Sequence, residues 1–180
     1  MKASQFIEKI EQIKPTRASL IEMEFSEKFI NDVLSSFEFE SLSIINKSEF
    51  DDEILELIST FNLANLKIGM IRFNNEIFIK NNRCYFGRNE ADILAIDMLS
   101  KEIILIDHED ENLILQICAK DGGSFLDALF EMKFFLTQCA FNLNFNCEQE
   151  DKCSKALHCS ILAGGEKYID FYKNTLGCWS

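Results

Sequence analysis

Proline is nearly missing from this chain: Pro15 is the single one among 180 residues, and only seven glycines accompany it. No stretch therefore has the composition of a flexible linker, and no internal repeat or low-complexity run divides the sequence. A chain of this length buries one substantial core and falls short of two, so one domain over 1–180 is expected, with its core over about 25–145 and a helical extension over about 146–180. Long apolar runs are lacking as well. The opening residues, Met1 to Lys9, carry charges where a signal peptide needs an unbroken apolar stretch, and nothing approaches the roughly 18 apolar residues of a membrane span. A cytoplasmic chain without membrane contact is the expectation.

Positive charge is short: eighteen lysines and arginines face thirty carboxylates, for a formal net charge of -12. Such a field repels phosphate backbones and anionic membranes, which argues against direct nucleic-acid binding and favours encounter with a basic protein. Histidine is scarcer still, with two. Neither His108 nor His158 stands in a motif with a nucleophile, and Gly122-Gly123 and Gly164-Gly165 lack the flanks of a phosphate-cradling loop. No cofactor and no catalytic residue are expected.

What the chain does have is cysteine, seven in all. An odd number without an export signal reads mostly as reduced thiols that pack as small hydrophobes. Cys147, Cys153, His158 and Cys159 offer the ligand types of a structural zinc site, yet their spacing departs from the paired knuckles that hold two thiolates on one tight turn. Helical packing is the simpler account. His108, between Asp107 and the pair Glu109-Asp110, admits an acid/base reading, but a strand-end turn full of carboxylates is equally a solvated loop. Pairs such as Asp51-Asp52 and Glu148-Glu150-Asp151 suit helix starts, where acidic side chains complement the dipole.

Apolar spacing predicts helices over Ser4–Lys14, stopped by Pro15, over about Ser26–Phe37 with Ser26 as N-cap, and over about Phe50–Phe61 behind a Ser48 capping-box start. A short strand is allowed within Glu38–Asn46. From Leu66 the pattern turns to six short apolar runs: Lys67–Phe73, Glu76–Lys80, Arg83–Phe86, Ile93–Asp97, Glu102–Asp107 and Leu113–Cys118. Their breaks are Asn74-Asn75, Asn81-Asn82, the Gly87-Arg88-Asn89 corner, Ser100-Lys101 and the acidic loop Glu109–Asn112. An antiparallel meander is expected, with Ile93–Ile96 and Ile103–Ile106, apolar on both faces, at its centre. A long helix opening at Ser124-Phe125 should cover it, followed by helices over about Gln149–Leu162 and Glu166–Leu176. The fold class is α+β: a central antiparallel sheet of about six strands flanked by N-terminal and C-terminal helices.

One connected run carries more than composition. It comprises Ile77-Phe78-Ile79, Tyr85-Phe86-Gly87-Arg88-Asn89-Glu90-Ala91-Asp92, Ile93-Leu94-Ala95-Ile96-Asp97, then Glu102 to Glu109, and ends at Ala119 to Leu129. This run resembles the SUKH superfamily, also called the Smi/Knr family, in which a strand leads to a glycine corner, a hairpin whose strands end in acidic residues follows, and a Ser-Phe helix start closes the motif. The likeness covers about Ile68 to Leu136; Glu49 to Gly69 carries a helix without the proline many members place before the sheet. The resemblance implies an immunity protein that neutralises a polymorphic, contact-delivered toxin, often a nuclease, by binding it. A basic toxin also suits the net charge. The expected contact surfaces are the acidic edge at Asp107, Glu109, Asp110 and Glu111, and a second group at Tyr85, Phe86, Arg88 and Glu90. The competing readings are a regulatory scaffold, as the family's eukaryotic members suggest, and a small hydrolase built on His108.

Overall fold

The computed structural model describes residues 1–42, 51–145 and 147–179, and for Asn75 the backbone alone. Its elements run α1 (Ala3–Gln12), α2 (Arg17–Glu22), α3 (Glu27–Ser35), α4 (Glu53–Thr60), β1 (Lys67–Ile68), β2 (Ile71–Lys80), β3 (Arg83–Asn89), β4 (Asp92–Asp97), β5 (Ile103–Ile106), β6 (Ile114–Ala119), α5 (Gly122–Phe141), α6 (Gln149–Leu162) and α7 (Ile169–Leu176), with one 3-10 turn at Glu166–Tyr168 before α7. The class is α+β, as composition and spacing require.

Local chemistry sets the helix starts. Ser26 accepts a hydrogen bond from the Phe29 amide and begins α3, and Thr16 does the same for Ser19 at α2, a helix that the apolar pattern misses because only Leu20 is buried in it. The start of the third expected helix lies outside the described residues at Ser48; the helix that forms is capped by Asp52 instead, whose carboxylate accepts from the Ile54 amide at 2.8 Å. The covering helix opens two residues earlier than Ser124, because Asp121 accepts from the Ser124 amide at 2.7 Å and Gly122 and Gly123 join the first turn. Of the strand allowed within Glu38–Asn46, Ser41 forms a single antiparallel bridge to Phe61, and 43–46 lie outside the described residues.

The six strands pair strictly in chain order, each antiparallel to the next. The partition differs from expectation at the front. Asn74-Asn75 do not turn the chain; β2 runs through them with a register irregularity between Phe73 and Phe78. The turn falls at Gly69, whose φ of +58° suits a residue without Cβ. The Gly87 corner is likewise a bulge inside β3, and the chain reverses at Glu90, with φ of +56°. Asn81 and Asn82, both at positive φ, make the β2–β3 turn, and Lys101, also at positive φ, precedes β5, as the turn residues predict.

Both faces of the sheet are apolar. Phe73, Cys84, Phe86, Leu94, Ile96, Ile103 and Leu105 belong to the main core with α1, α4 and α5, and the same cluster takes in Ala156, Cys159, Tyr168, Phe171 and Tyr172 from the C-terminal helices. The opposite face carries a second cluster of Tyr85, Ala95, Ile104 and Ile106, aligned across the ladder as Phe78, Tyr85, Ala95, Ile104 and Ile117. Exposure rises outward along that row, with Phe78 60% exposed at one end. Among the described residues no helix is long and apolar enough to cross a membrane.

Among the described residues, Lys133 is the one buried lysine. From α5 its ammonium donates to the Lys67 carbonyl at 3.0 Å and lies 4.1 Å from the centre of the Phe37 ring. Burial pulls its pKa down to about 8. The folded protein therefore sheds this proton while the unfolded chain still holds it, and between about pH 8 and the ordinary lysine value the folded state gains stability as pH rises. The gain expected is on the order of 2–3 kcal/mol, and it vanishes in Lys133→Met. Urea unfolding of both proteins from pH 7.5 to 10.5 checks it; parallel curves would contradict it.

Candidate functional site

The acidic loop between β5 and β6 is built rather than loose. Asp107 accepts hydrogen bonds from the amides of Glu109 at 2.7 Å and Asp110 at 3.0 Å, a turn in which the carboxylate substitutes for a backbone acceptor. Those bonds hold its pKa below the usual carboxylate value. Asp110 in turn accepts from the Asn112 backbone and side chain. Glu111 receives Lys80 at 2.7 Å, and its carbonyl receives Arg83, so the β2–β3 hairpin holds the loop on one flank. On the other flank His108 Nδ1 meets Asp92 at 2.8 Å at the start of β4. That hydrogen bond, and the surrounding carboxylates, raise the imidazole pKa and favour its charged form.

The loop thus exposes Glu109 freely and Asp110 beside it, whereas Asp107 and Glu111 serve mainly to shape it. The His108 ring's contacts are with the carboxylates of Asp92 and Glu109. This is ion-pair geometry.

The second group divides. Arg88 and Glu90 are exposed at the β3–β4 turn, and Glu90 lies near Asp92, which binds His108; the turn and the acidic loop therefore share one end of the sheet. Tyr85 and Phe86, in contrast, are 6% and 0% exposed and offer a partner no surface. Phe86 packs against Phe73 and Phe125 in the main core, and Tyr85 sits in the opposite cluster with the Phe78 ring tilted against it, centroids 5.8 Å apart. A bulged strand between two apolar clusters buries consecutive residues on both faces, which simple alternation does not anticipate. The aromatic that does reach solvent here is Phe78, with Ile79 beside it. Its signal lay in the sequence: Phe78 and Lys80 alternate on β2 as Tyr85 and Arg83 do on β3, placing one aromatic and one cation per strand on the same face.

The cysteines correct the reduced-thiol expectation. Cys139 pairs with Cys147 and Cys153 with Cys178, leaving Cys84, Cys118 and Cys159 as buried thiols. Cys147, Cys153, His158 and Cys159 consequently do not converge: two are in separate disulfides, His158 approaches Glu131 at 3.9 Å, and burial pushes Cys159 up to about 12. Among the described residues no three metal-capable side chains gather. Asp52 is not an exposed member of a carboxylate pair either; it is buried, and desolvation raises its pKa despite the amides that point at it.

Fold and surface together define an α+β protein on a six-stranded antiparallel meander, with a pinned acidic loop at one end of the sheet. Comparison of the chain with family models, with curated proteins and with solved structures finds no match in any of the three.

Proposed function

We propose that this chain is an immunity-type protein that binds and neutralises a basic protein toxin, a nuclease being the expected class, from within the cytoplasm. The observation that carries the reading is the acidic loop: Glu109 and Asp110 are presented on a backbone fixed by Asp107, Lys80 and Arg83, in a chain of net charge -12. Carboxylates held at a fixed spacing favour ion pairing with a basic surface, and the field of the whole chain steers that surface in. The SUKH-like run from Ile77 to Leu129 points to the same role. Arg88 and Glu90 extend the contact along the turn.

Replacing Glu109 and Asp110 together by lysine is expected to slow association with the cognate toxin by about tenfold to a hundredfold at low salt, with little change in thermal stability because both side chains are exposed. Stopped-flow association across a salt series checks it; unchanged rates would move the contact off this loop. The reading as a whole is tested by co-expressing the chain with the reading frame beside its gene. Suppressed toxicity and a stoichiometric basic partner support it, and a chain that suppresses nothing and retains no partner would leave the scaffold role.

A further inference from the structure

The two edges of the sheet are unlike. One edge, β1, is two residues long, carries Lys67 and is closed by Lys133, which occupies the Lys67 carbonyl. The other, β6, runs Ile114-Leu115-Gln116-Ile117-Cys118-Ala119, with no charge and no proline. Natural edges are usually shortened, charged or covered, because an unpaired row of amides and carbonyls templates another strand. The far end of β6 is covered: the Tyr172 hydroxyl donates to the Cys118 carbonyl, and the Lys120 amide donates to Ala163. From Ile114 to Ile117 the described residues supply no backbone partner beyond β5. Ile114 and Ile117, on the same face as Ile106 and Ile104, and Leu115, at the register irregularity between them, are each about 40% exposed.

Two open clefts of about 540 Å³ each meet at Leu115 and Gln116. The first is lined by Asp97, Glu102 and Asp170, with Lys167 tied to Glu102; the second by Glu90 and by Asp92, which His108 partners from outside the cleft. An apolar strand edge between two carboxylate-lined clefts selects its occupant by charge. A second copy would bring the uncharged β6 and its own carboxylates against these, which the net charge opposes. We infer that the Ile114–Ile117 edge accepts an extended, cationic strand of a protein partner, which adds to the sheet through backbone hydrogen bonds and places lysine or arginine side chains in the two flanking clefts. This deepens the partner reading above and rests on it for the partner's identity.

The lone tryptophan, Trp179, is 73% exposed and lines the second cleft, so its emission reports occupancy. The probe is a short alternating valine–lysine peptide, with a valine–glutamate peptide as control, added to the full chain. Expected is a shift of Trp179 emission by the lysine peptide, weakened by salt. Amide exchange at Ile114–Ile117 should slow about tenfold when free peptide stands at about ten times its Kd. Asp170→Lys, an exposed change, should weaken it severalfold, and Ile117→Lys should abolish it while the unfolding midpoint verifies the fold. Equal binding of the glutamate peptide, protection elsewhere, protection that grows with protein concentration alone, or no response up to the solubility limit would each overturn the inference. The toxin assay separates the two proposals. If Ile117→Lys still neutralises the toxin, the edge is not the contact and the immunity reading stands; if the peptide seats on the edge and no toxin is neutralised, the reverse holds.

Discussion

Cys153→Ser is expected to lower stability by about 3 kcal/mol, since the bond to Cys178 closes a loop over a sequence separation of 25. The bond joins α6 to the chain end just beyond Gly177, whose left-handed φ of +68° terminates α7. Without it, the segment that seats Tyr172 against the Cys118 carbonyl loses its covalent tie to α6. Denaturant unfolding with and without reductant checks the expectation: reductant should cost the wild type this amount and more, because Cys139–Cys147 opens as well, while Cys153→Ser should lose only the contribution of the shorter loop. Equal midpoints for oxidised and reduced wild type would show that neither bond bears on stability. A cytoplasmic chain would meet glutathione and thioredoxin, so the reduced protein is the form whose stability the proposed role depends on.

Gly87→Ala is expected to cost about 2–3 kcal/mol, the range for overpacking a site that cannot yield. A Cβ at Gly87 would stand 2.5 Å from the Arg72 carbonyl oxygen, and that oxygen belongs to the backbone of β2, not to a flexible side chain. Accommodation requires β2 and β3 to part at the Phe73–Gly87 pair, where both strands already carry irregular register. The loss should appear as a lower urea midpoint with slower exchange lost first at β2 and β3. A variant as stable as the wild type would mean that the bulge absorbs a methyl group without cost.

These two sites also mark what a sequence discloses. Gly87 announced a break, and the structure makes it a bulge because β3 continues on the far side to pair Arg88 with Ile93. Ile93–Ile96 and Ile103–Ile106 were legible as strands with neighbours on both sides because burial on both faces leaves an unbroken apolar run, although Ile103–Ile106 lies next to the edge and not at the centre, and Ser26 was legible as a cap because its hydroxyl is where the orphan Phe29 amide needs it. Asn74-Asn75 misled for the converse reason: turn-forming residues are tolerated inside a long strand at a register irregularity, here between the Phe73–Gly87 and Phe78–Tyr85 pairs. Cysteine pairing was beyond reach, since seven thiols allow many combinations and only the packing of α6 against α5 and α7 selects two. The acidic loop was visible as charge, but its rigidity depends on Lys80 and Arg83, some thirty residues upstream, and spacing along the chain cannot register that meeting.

The pinning of that loop sets the entropy of any encounter with it. Immobilising a mobile, rotamer-rich side chain on binding costs about 0.5–1.5 kcal/mol. Asp107 and Glu111 are already held in the free protein by two amides and by Lys80, and the backbone between them is fixed with them. Of the loop's four carboxylates, Glu109 is the one with most freedom still to lose. A partner that reads this loop therefore meets a preformed imprint, and the selectivity of that contact lies in how well its cations match a spacing that does not adjust to them.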